Sequence, residues 1–189
     1  MSGIYSKRKQ LRHMRRFPAV KSLGLLRAVE SVVPKHSRIL DLGAASGGFI
    51  RQLRSVGYTA FGVDGTKEIQ EIVPGLVWPC DLTLDCSLLY GITEWAVFFE
   101  VGEHIPKEDE GALLDQVSNI PTDGIIVTWA GVADTGKGHV NCRDLEYVKR
   151  LFHYRGWLFS DDATNIARTA GGSDLSRLRR LLVFTKRGI

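Results

Sequence analysis

A glycine-rich turn between a predicted strand and a predicted helix is the feature that most restricts how this chain can fold. The apolar run RILDLG leads into the turn DLGAASGGF at residues 41–49, and the amphipathic segment GGFIRQLRSV follows it. A second strand, TAFGVDG, comes next, so the order strand, helix, strand predicts a βαβ unit. Small residues at such a turn let the backbone approach a ligand, and the helix N-terminus offers free N–H groups. The turn therefore predicts a cofactor-binding corner, with a tight connection that binds nothing as the alternative.

Strand-like and helix-like segments go on alternating to the end of the chain, which is typical of an α/β fold. Apolar runs predict further strands at LVWPCD, EWAVFFEVG, GIIVTWA, GWLFS and RRLLVFTKR. Helical spacing of apolar residues predicts helices at VKSLGLLRAVESVV, PKEDEGALLDQVSNI, RDLEYVKRLFHYRG and DDATNIARTA. The unbroken apolar run of EWAVFFEVG suits a strand that is buried on both faces. The last two strands are expected to form a hairpin at the sheet edge.

Positive charge is concentrated at the N-terminus. Residues 1–29 hold eight Lys or Arg and no acidic residue, which leaves 17 basic against 21 acidic residues in the remainder of the chain. We divide the chain into a basic, partly helical arm at residues 1–19 and one domain at residues 20–189. The arm suits a polyanion such as RNA, and a solvated tail is the alternative.

Cysteine usage and hydropathy predict a protein of the reducing cytoplasm. The three cysteines, Cys80, Cys86 and Cys142, form no CxxC pair, so the sequence suggests neither a zinc knuckle nor a disulfide framework. No stretch approaches the roughly 20 apolar residues of a membrane span, and no apolar core of a signal peptide follows the basic residues. We therefore expect no membrane partner.

Two acidic residues follow predicted strands at positions that suit a nucleoside. Asp64 ends the second strand, 21 residues after Gly43, where a carboxylate can accept both hydroxyls of a ribose. Asp81 follows the third strand, where it could meet an adenine amino group, with Cys80 or Leu82 beside the ring. The alternative for Asp81 is a turn or helix-capping residue.

Together these motifs resemble the class I S-adenosylmethionine (SAM)-dependent methyltransferases, from about residue 20 to the C-terminus. The DLGAASGGF turn is also similar to the DLGAAPGG-type turn of ribose 2′-O-methyltransferases related to the heat-shock rRNA enzyme. The resemblance implies a Rossmann-like sandwich with a mostly parallel seven-stranded sheet, an antiparallel last strand and helices on both faces. It implies SAM as cofactor and S-adenosylhomocysteine as product. The cofactor-binding residues it implies are Asp41, Gly43, Ala44, Ala45, Ser46, Gly47, Gly48, Phe49, Asp64, Gly65, Cys80, Asp81, Leu82 and Glu100.

The fourth strand ends in FFEVGEHIP, which puts Glu100, Glu103 and His104 at the carboxyl edge of the sheet, where chemistry is expected. The segment resembles the E-V-x-E-H-x-P segment of small-molecule methyltransferases. It also resembles the E-x-x-E-H segment of small-RNA 3′-end methyltransferases, in which two Glu and two His hold a divalent metal; here His139 would be the second His. We do not favour a metal, since Glu/His spacing alone is weak evidence. We expect Glu100 to hydrogen-bond the substrate or the SAM amine and His104 to cap the next helix, and both are candidate catalytic residues.

The segment after the fifth strand, TWAGVADTGKGHVNCRD, is suited to lie over the active site. His139 and Asn141 are candidate substrate-binding residues within it. Trp129 could stack on a base, and packing beneath its own loop is the alternative.

The group that accepts the methyl, a ribose hydroxyl or a ring nitrogen, determines which substrate the sequence favours. The cap 2′-O enzymes lower the pKa of a ribose hydroxyl with a Lys-Asp-Lys-Glu tetrad, but here Glu100 stands at the expected Asp, and Thr128 and Trp129 end the fifth strand without a Lys. A ring nitrogen needs only alignment with the methyl group. An RNA-cap guanine N7 is therefore the leading prediction, with Arg12, Arg15 and Arg16 as phosphate contacts.

Three alternatives remain open: a small-molecule methyltransferase, a metal-dependent RNA 2′-O-methyltransferase, and an RNA-binding domain without activity. The chain could also be a monomeric domain cut from the polyprotein of a large RNA virus.

Overall fold

The structure is a computed structural model, and it describes residues 22–134, 136–172 and 175–186. The basic arm lies outside the described residues, and so do Arg12, Arg15 and Arg16. The phosphate contacts assigned to these arginines therefore stay predictions.

Seven strands form a single sheet in the order β3-β2-β1-β4-β5-β7-β6. They are β1 (Arg38–Leu42), β2 (Thr59–Asp64), β3 (Val77–Pro79), β4 (Thr93–Phe99), β5 (Pro121–Thr128), β6 (Leu158–Phe159) and β7 (Leu182–Thr185). β7 runs antiparallel to both of its neighbours, β5 and β6, while the other paired strands run parallel. The mostly parallel sheet with an antiparallel last strand is confirmed. The predicted hairpin is the β6/β7 pair, but helices are inserted between its two strands.

The α-helices are α1 (Leu23–Val32), α2 (Gly48–Ser55), α3 (Ile69–Ile72), α4 (Glu110–Asn119), α5 (Leu145–His153), α6 (Asp161–Gly171) and α7 (Leu175–Leu178). Three single turns of 3₁₀ helix lie at Ser87–Leu89, Gly102–His104 and Lys107–Asp109. The side chains of Ser22, Asp144 and Ser160 accept a backbone N–H at the starts of α1, α5 and α6. Such caps stabilise helix starts by satisfying donors that have no partner inside the helix.

The sheet is covered on both faces, as predicted. Within β4, Trp95 and Val97 join the apolar cluster that contains α1, α2 and α6, whereas Ala96 and Phe98 join the cluster that contains α4 and α5. Alternate residues of a strand point to opposite faces, so an unbroken apolar run can fill two cores at once. In the described parts of the chain, no helix combines the length and apolar character needed to cross a bilayer.

Glycine at position 124 lets Trp95 pack flat against β5. A Cβ at Gly124 would collide with the Trp95 ring, whereas a Cβ at Gly111 in α4 would meet nothing within 4 Å. We expect Gly124→Ala to lower the free energy of unfolding by about 1–3 kcal/mol through overpacking. Gly111→Ala should raise it by about 0.5–1 kcal/mol, because alanine favours the helix. Denaturant unfolding measures both effects, and equal stabilities for the two variants would contradict this packing.

Candidate active site

The predicted cofactor corner follows β1 and has a backbone that only certain residues adopt easily. Gly43 has a φ of 84°, Ala45 of 46° and Gly47 of 69°, all in the left-handed region. A Cβ at Gly43 would collide with Val101, and one at Gly47 would lie 2.6 Å from Leu76. Both glycines are therefore required by conformation and by space. The corner leads into α2, whose N-terminus has no side-chain cap.

Asp64 holds this corner directly. Its Oδ2 accepts the N–H of Ala45 at 2.9 Å, and its Oδ1 accepts the N–H of Thr66 at 2.9 Å. The end of β2 is thereby tied to the turn after β1. Sequence reasoning assigned Asp64 to a ribose and missed this internal role, because the pairing of a side chain with a distant backbone amide leaves no spacing signal. The ribose contact itself stays a prediction.

Asp41, near the end of β1, is buried, and no described residue of opposite charge forms an ion pair with it. Burial, and then the nearby negative charge of Asp64, raise the pKa of Asp41 to about 7. A buried carboxylate with this pKa carries a proton over much of the mildly acidic range. A cation placed against it would favour the ionised form.

Around β3 the structure supports the turn alternative for Asp81 and contains a disulfide that the sequence did not suggest. The Oδ1 of Asp81 accepts the N–H and the hydroxyl of Thr83 at 3.0 and 2.7 Å, so Asp81 is a turn residue, and an adenine contact stays a prediction. Leu82 is buried. The structure pairs Cys80 with Cys86 in a disulfide, which the sequence did not suggest. The turn at Asp81 changes the direction of the chain, so Cys80 and Cys86 come together although they lack CxxC spacing.

The other predicted corner residues lie nearby in the fold. Ser46 and Gly48 are buried at the start of α2. Phe49 packs edge-on against Phe99 of β4, with ring centroids 5.4 Å apart. Gly65, just past β2, has open space where a side chain would be.

Glu100 directly follows β4 and has a strained backbone conformation. Its φ is 57°, which is uncommon for a residue with a side chain. Its N–H is held by the carbonyl of Thr128 at 3.2 Å and by the Thr128 hydroxyl at 3.1 Å. The Oε1 atom of Glu100 is buried and accepts no hydrogen bond from the described residues. Strain of this kind clusters at functional sites.

Glu103, His104 and His139 come together, although the sequence separates the first two from the third by more than 30 residues. One donor atom from each lies within 4.8 Å of the others. The carbonyl of Glu103 accepts the N–H groups of Val140 and Asn141 at 2.8 and 3.0 Å, which binds the two segments together.

The environment of this cluster shifts the pKa values of two of its members. Burial raises the pKa of Glu103 to about 7; the N–H groups of Glu103 and Ala130 lower it in part, and the charge of Glu100 raises it. These amides lie near the carboxylate without meeting hydrogen-bond geometry, since both of its oxygens are without a partner in the described chain. Burial also lowers the pKa of His104. The prediction that His104 caps the next helix is wrong, because its Nδ1 donates to the carbonyl of Gly138 at 3.1 Å.

Two residues predicted to contact substrate are instead buried supports of the loop. Trp129 is 1% exposed, its Nε1 donates to the Asn141 carbonyl at 2.7 Å, and its ring lies against Gly102. It cannot stack on a base in this position. Asn141 is fully buried, and its Nδ2 donates to Oε2 of Glu110 at 2.9 Å. Both assignments to substrate are therefore wrong.

Glu110, at the start of α4, anchors the end of this loop. It accepts hydrogen bonds from Asn141, Arg143 and Tyr147 at 2.9, 2.8 and 2.8 Å. Burial acts to raise the pKa of Glu110, but the bonds from Arg143, Asn141 and Tyr147 outweigh it and lower the pKa. The sequence places an acid at a helix start, where the macrodipole favours it, but does not reveal these partners.

A pocket of about 410 Å³ opens beside Glu100 and His139. Asp134 and Arg180 line it and form an ion pair, and Arg177 lines it too. The sequence analysis missed both arginines, which lie in or just after α7, because nothing local connects them to the loop after β5. Of the residues that line the pocket, Glu100 lies nearest in sequence to a contact with the glycine corner, because Val101, which follows it, packs against Gly43.

The raised pKa of Asp41 predicts a pH-dependent penalty on stability. Between about pH 4 and 7 the folded protein keeps a proton that the unfolded chain has released, so the free energy of unfolding falls as pH rises through that window. Asp41→Asn removes this penalty and should stabilise the protein at pH 8 by about 2–4 kcal/mol. The gain should shrink towards pH 4. Denaturant unfolding at both pH values measures it, with exposed Asp162→Asn as control; a pH-independent gain would contradict the assignment.

No protein-family model and no curated protein matches this sequence. Solved structures do match its fold. The 1,6-didemethyltoxoflavin-N1-methyltransferase of Burkholderia thailandensis, solved with 1,6-didemethyltoxoflavin and S-adenosylhomocysteine, has a TM-score of 0.62 at 12% identity, over 95% of this chain and 86% of that chain. Magnesium protoporphyrin IX methyltransferase of Synechocystis PCC 6803, solved with S-adenosylhomocysteine, has a TM-score of 0.58 at 15% identity, over 99% and 90%. The [4+2]-cyclase SpnF has a TM-score of 0.58 at 11% identity, over 88% and 81%.

The names of these three structures mention neither RNA nor a virus, so they do not support the viral cap origin predicted from the sequence. The cyclase shows that proteins of this fold catalyse more than one kind of reaction. What the similarity shows is the fold: this chain has the Rossmann-like sandwich of the class I SAM-dependent methyltransferases.

Proposed function

We propose that this chain is a SAM-dependent methyltransferase that acts on a small molecule. The observation that carries the proposal is the glycine corner held by Asp64, placed beside a pocket at the carboxyl edge of the sheet. The strand order reverses between β1 and β4, and ligands of open α/β sheets bind at such a switch point.

The residues of the corner fit SAM. Gly43 and Gly47 leave no room for a Cβ, so the backbone itself forms the wall that a ligand would meet. The uncapped start of α2 offers N–H groups to a carboxylate. Asp41 is a buried acid that an ammonium group would help to ionise. These features suit the amino-acid end of SAM, and we assign Asp64, at the end of β2, to its ribose.

SAM supplies a methyl group on a sulfonium, which transfers to a nucleophile without further activation of the methyl group. The protein therefore has to align the acceptor and exclude water. Glu100, at the rim between corner and pocket, can accept a proton or a hydrogen bond from the acceptor. Arg177 and Arg180 add cationic groups to the pocket lining, where Arg180 is paired with Asp134; Arg177 favours an acceptor with an anionic or strongly polar substituent.

A small molecule is better supported than an RNA cap. The aromatic stacking that favoured a base depended on Trp129, which is buried and hydrogen-bonded inside the protein. A pocket of about 410 Å³ is of the size that holds a compact ligand. Two proteins of the same fold are named for small acceptors, a toxoflavin precursor and a porphyrin.

Cofactor binding tests the first half of the proposal. Asp64→Ala should weaken SAM binding roughly ten- to a hundredfold, because a hydrogen bond to a charged group contributes about 1.5–3 kcal/mol. Isothermal titration calorimetry with SAM and with S-adenosylhomocysteine measures this change. Asp162→Ala, an exposed acid at the start of α6, is the matched control and should leave the affinity unchanged. If the unmodified protein binds neither nucleoside, the methyltransferase proposal is wrong.

The acceptor class is tested with labelled SAM and two sets of acceptors. One set contains hydroxylated, carboxylated and N-heteroaromatic metabolites, and the other contains GpppN-capped and uncapped RNA oligonucleotides. We expect the label to appear in a small molecule, and mass spectrometry locates it. Removal of residues 1–16 should not change how much label is transferred. Transfer to capped RNA alone, lost with the arm, would overturn the small-molecule proposal in favour of the cap enzyme.

A further inference from the structure

Arg177 lines the candidate pocket as a partly buried cation without a partner. Among the described residues its guanidinium forms no ion pair and donates no hydrogen bond. The other partly buried arginines of the described chain all donate to a carboxylate or to a backbone carbonyl; they are Arg143, Arg155, Arg168 and Arg180. A guanidinium withdrawn from water without an acceptor is unfavourable. Arg177 can therefore bind an acceptor group that the described protein does not supply.

Packing of the residue that follows Arg177 holds this arginine beside the pocket. Leu178 is 2% exposed, and its side chain fills the space where a Cβ at Gly171 would lie. The N–H of Arg180 donates to the Arg177 carbonyl at 3.0 Å, and the N–H of Leu181 donates to the Leu178 carbonyl at 3.2 Å. The core at the end of α6 therefore sets the position of the backbone that carries Arg177.

Arg180, the other arginine of the pocket, already has its charge compensated. It forms an ion pair with Asp134, whose Oδ2 also accepts the N–H of Gly131 at 2.8 Å. A Cβ at Gly131 would lie 3.4 Å from Nε of Arg180, so the guanidinium lies against the backbone of the loop after β5. Arg180 thus joins this loop to the segment after α7. Of the two arginines, Arg177 is the one that remains available for an anion.

Glu100 is a second charged residue of the pocket lining that lacks a partner. Its Oε1 is buried and accepts no hydrogen bond from the described residues, and no described cation forms an ion pair with it. Of the pocket residues it is the one next to a contact with the glycine corner, because Val101 packs against Gly43. Since Asp134 and Arg180 compensate each other, the pocket presents one unpaired acid and one unpaired cation.

We propose that the methyl acceptor is a small molecule with a carboxylate or phosphate group, which Arg177 binds, and with an O–H or N–H group that meets Glu100. A guanidinium binds two oxygens of a carboxylate or a phosphate through parallel N–H donors. The inference rests on the proposed function and deepens it, because it names the class of acceptor. The heteroatom that receives the methyl group lies at the Glu100 end, and the proton that it loses passes to this carboxylate.

Binding to the full chain tests the anion site, with and without saturating S-adenosylhomocysteine. The probes are acids matched with their neutral amides, 4-hydroxybenzoate with 4-hydroxybenzamide and imidazole-4-acetate with imidazole-4-acetamide, and 4-hydroxyphenyl phosphate. Calorimetry should show an acid or the phosphate binding at least about tenfold more tightly than the amides. Whether 4-hydroxybenzoate or the phosphate binds more tightly distinguishes the two sources of the anion. Binding of no acid and no phosphate, or equal binding of the amides, would overturn the proposal.

Variants identify the residue that binds the anion. Arg177→Gln should weaken binding of the tightest acid or phosphate about ten- to a hundredfold and leave the affinity for the amides unchanged. Arg179→Gln is the matched control, because Arg179 is exposed and does not line the pocket. Arg177→Lys keeps the charge but loses the paired donors, so its affinity should fall between the two. Melting curves establish that each variant folds, and Arg177→Lys stands in should the glutamine variant not fold. Undiminished anion binding in a folded Arg177 variant would refute the site.

Methyl transfer to the same acids and phosphate tests the orientation of the acceptor. Arg177→Gln should raise KM and leave kcat nearly unchanged, because a contact remote from the reacting atoms is equally strong in the ground state and the transition state. Mass spectrometry should place the methyl group on the O–H or N–H heteroatom. A methyl ester would overturn the proposal, because it would place the anionic group at the site of transfer instead of at Arg177.

Failure of this inference and failure of the proposed function give different results. A protein that binds SAM and methylates neutral and acidic small molecules equally well retains the function and loses the anion site. A protein that binds an acid or a phosphate through Arg177, but binds no SAM and transfers no methyl group, retains the anion site and loses the function.

Discussion

The hydrogen bond from the N–H of Ala45 to the carboxylate of Asp64 is the contact on which the candidate site depends. It joins the turn after β1 to the end of β2, and so holds Gly43 and Gly47 in conformations that L-residues seldom adopt. Val101 then packs beneath Gly43, which places the end of β4 against the same corner. These contacts hold the glycine corner next to the end of β4.

The loop after β5 depends on a second set of buried polar contacts. Trp129 and Asn141 hold it from beneath, and Glu110 accepts a hydrogen bond from Nδ2 of Asn141 at the start of α4. Buried polar groups that are fully paired make a structure rigid, whereas an unpaired one is costly. Both oxygens of Glu103 are buried without a hydrogen-bond partner among the described residues, and so are Oε1 of Glu100 and Oδ1 of Asn141. Rigid support beside an unsatisfied carboxylate is the arrangement expected of a binding site.

Much of the fold and the outline of the corner could be predicted from the sequence. The seven strands, their mainly parallel order and the glycine turn follow from apolar periodicity and from small residues, which act locally. Several residues that the sequence left open or misassigned depend on contacts between distant segments. Trp129, for which stacking on a base and packing beneath its own loop were both considered, is buried against Gly102. The pairing of Cys80 with Cys86, six residues apart, has no motif that predicts it. Arg177 and Arg180 could not be assigned to the pocket before α7 was placed.

The sequence by itself determined the architecture and the corner, because strand and helix periods and glycine conformations are properties of neighbouring residues. Only the tertiary structure decided which side chains face the pocket and which support it, because burial depends on elements that lie far apart in the chain. It also decided that neither carboxylate oxygen of Glu103 accepts a hydrogen bond from the described residues, whereas the carboxylate of Glu110 accepts three. That difference cannot be read from residue type, since both are glutamates that lie beside short helical turns after β4.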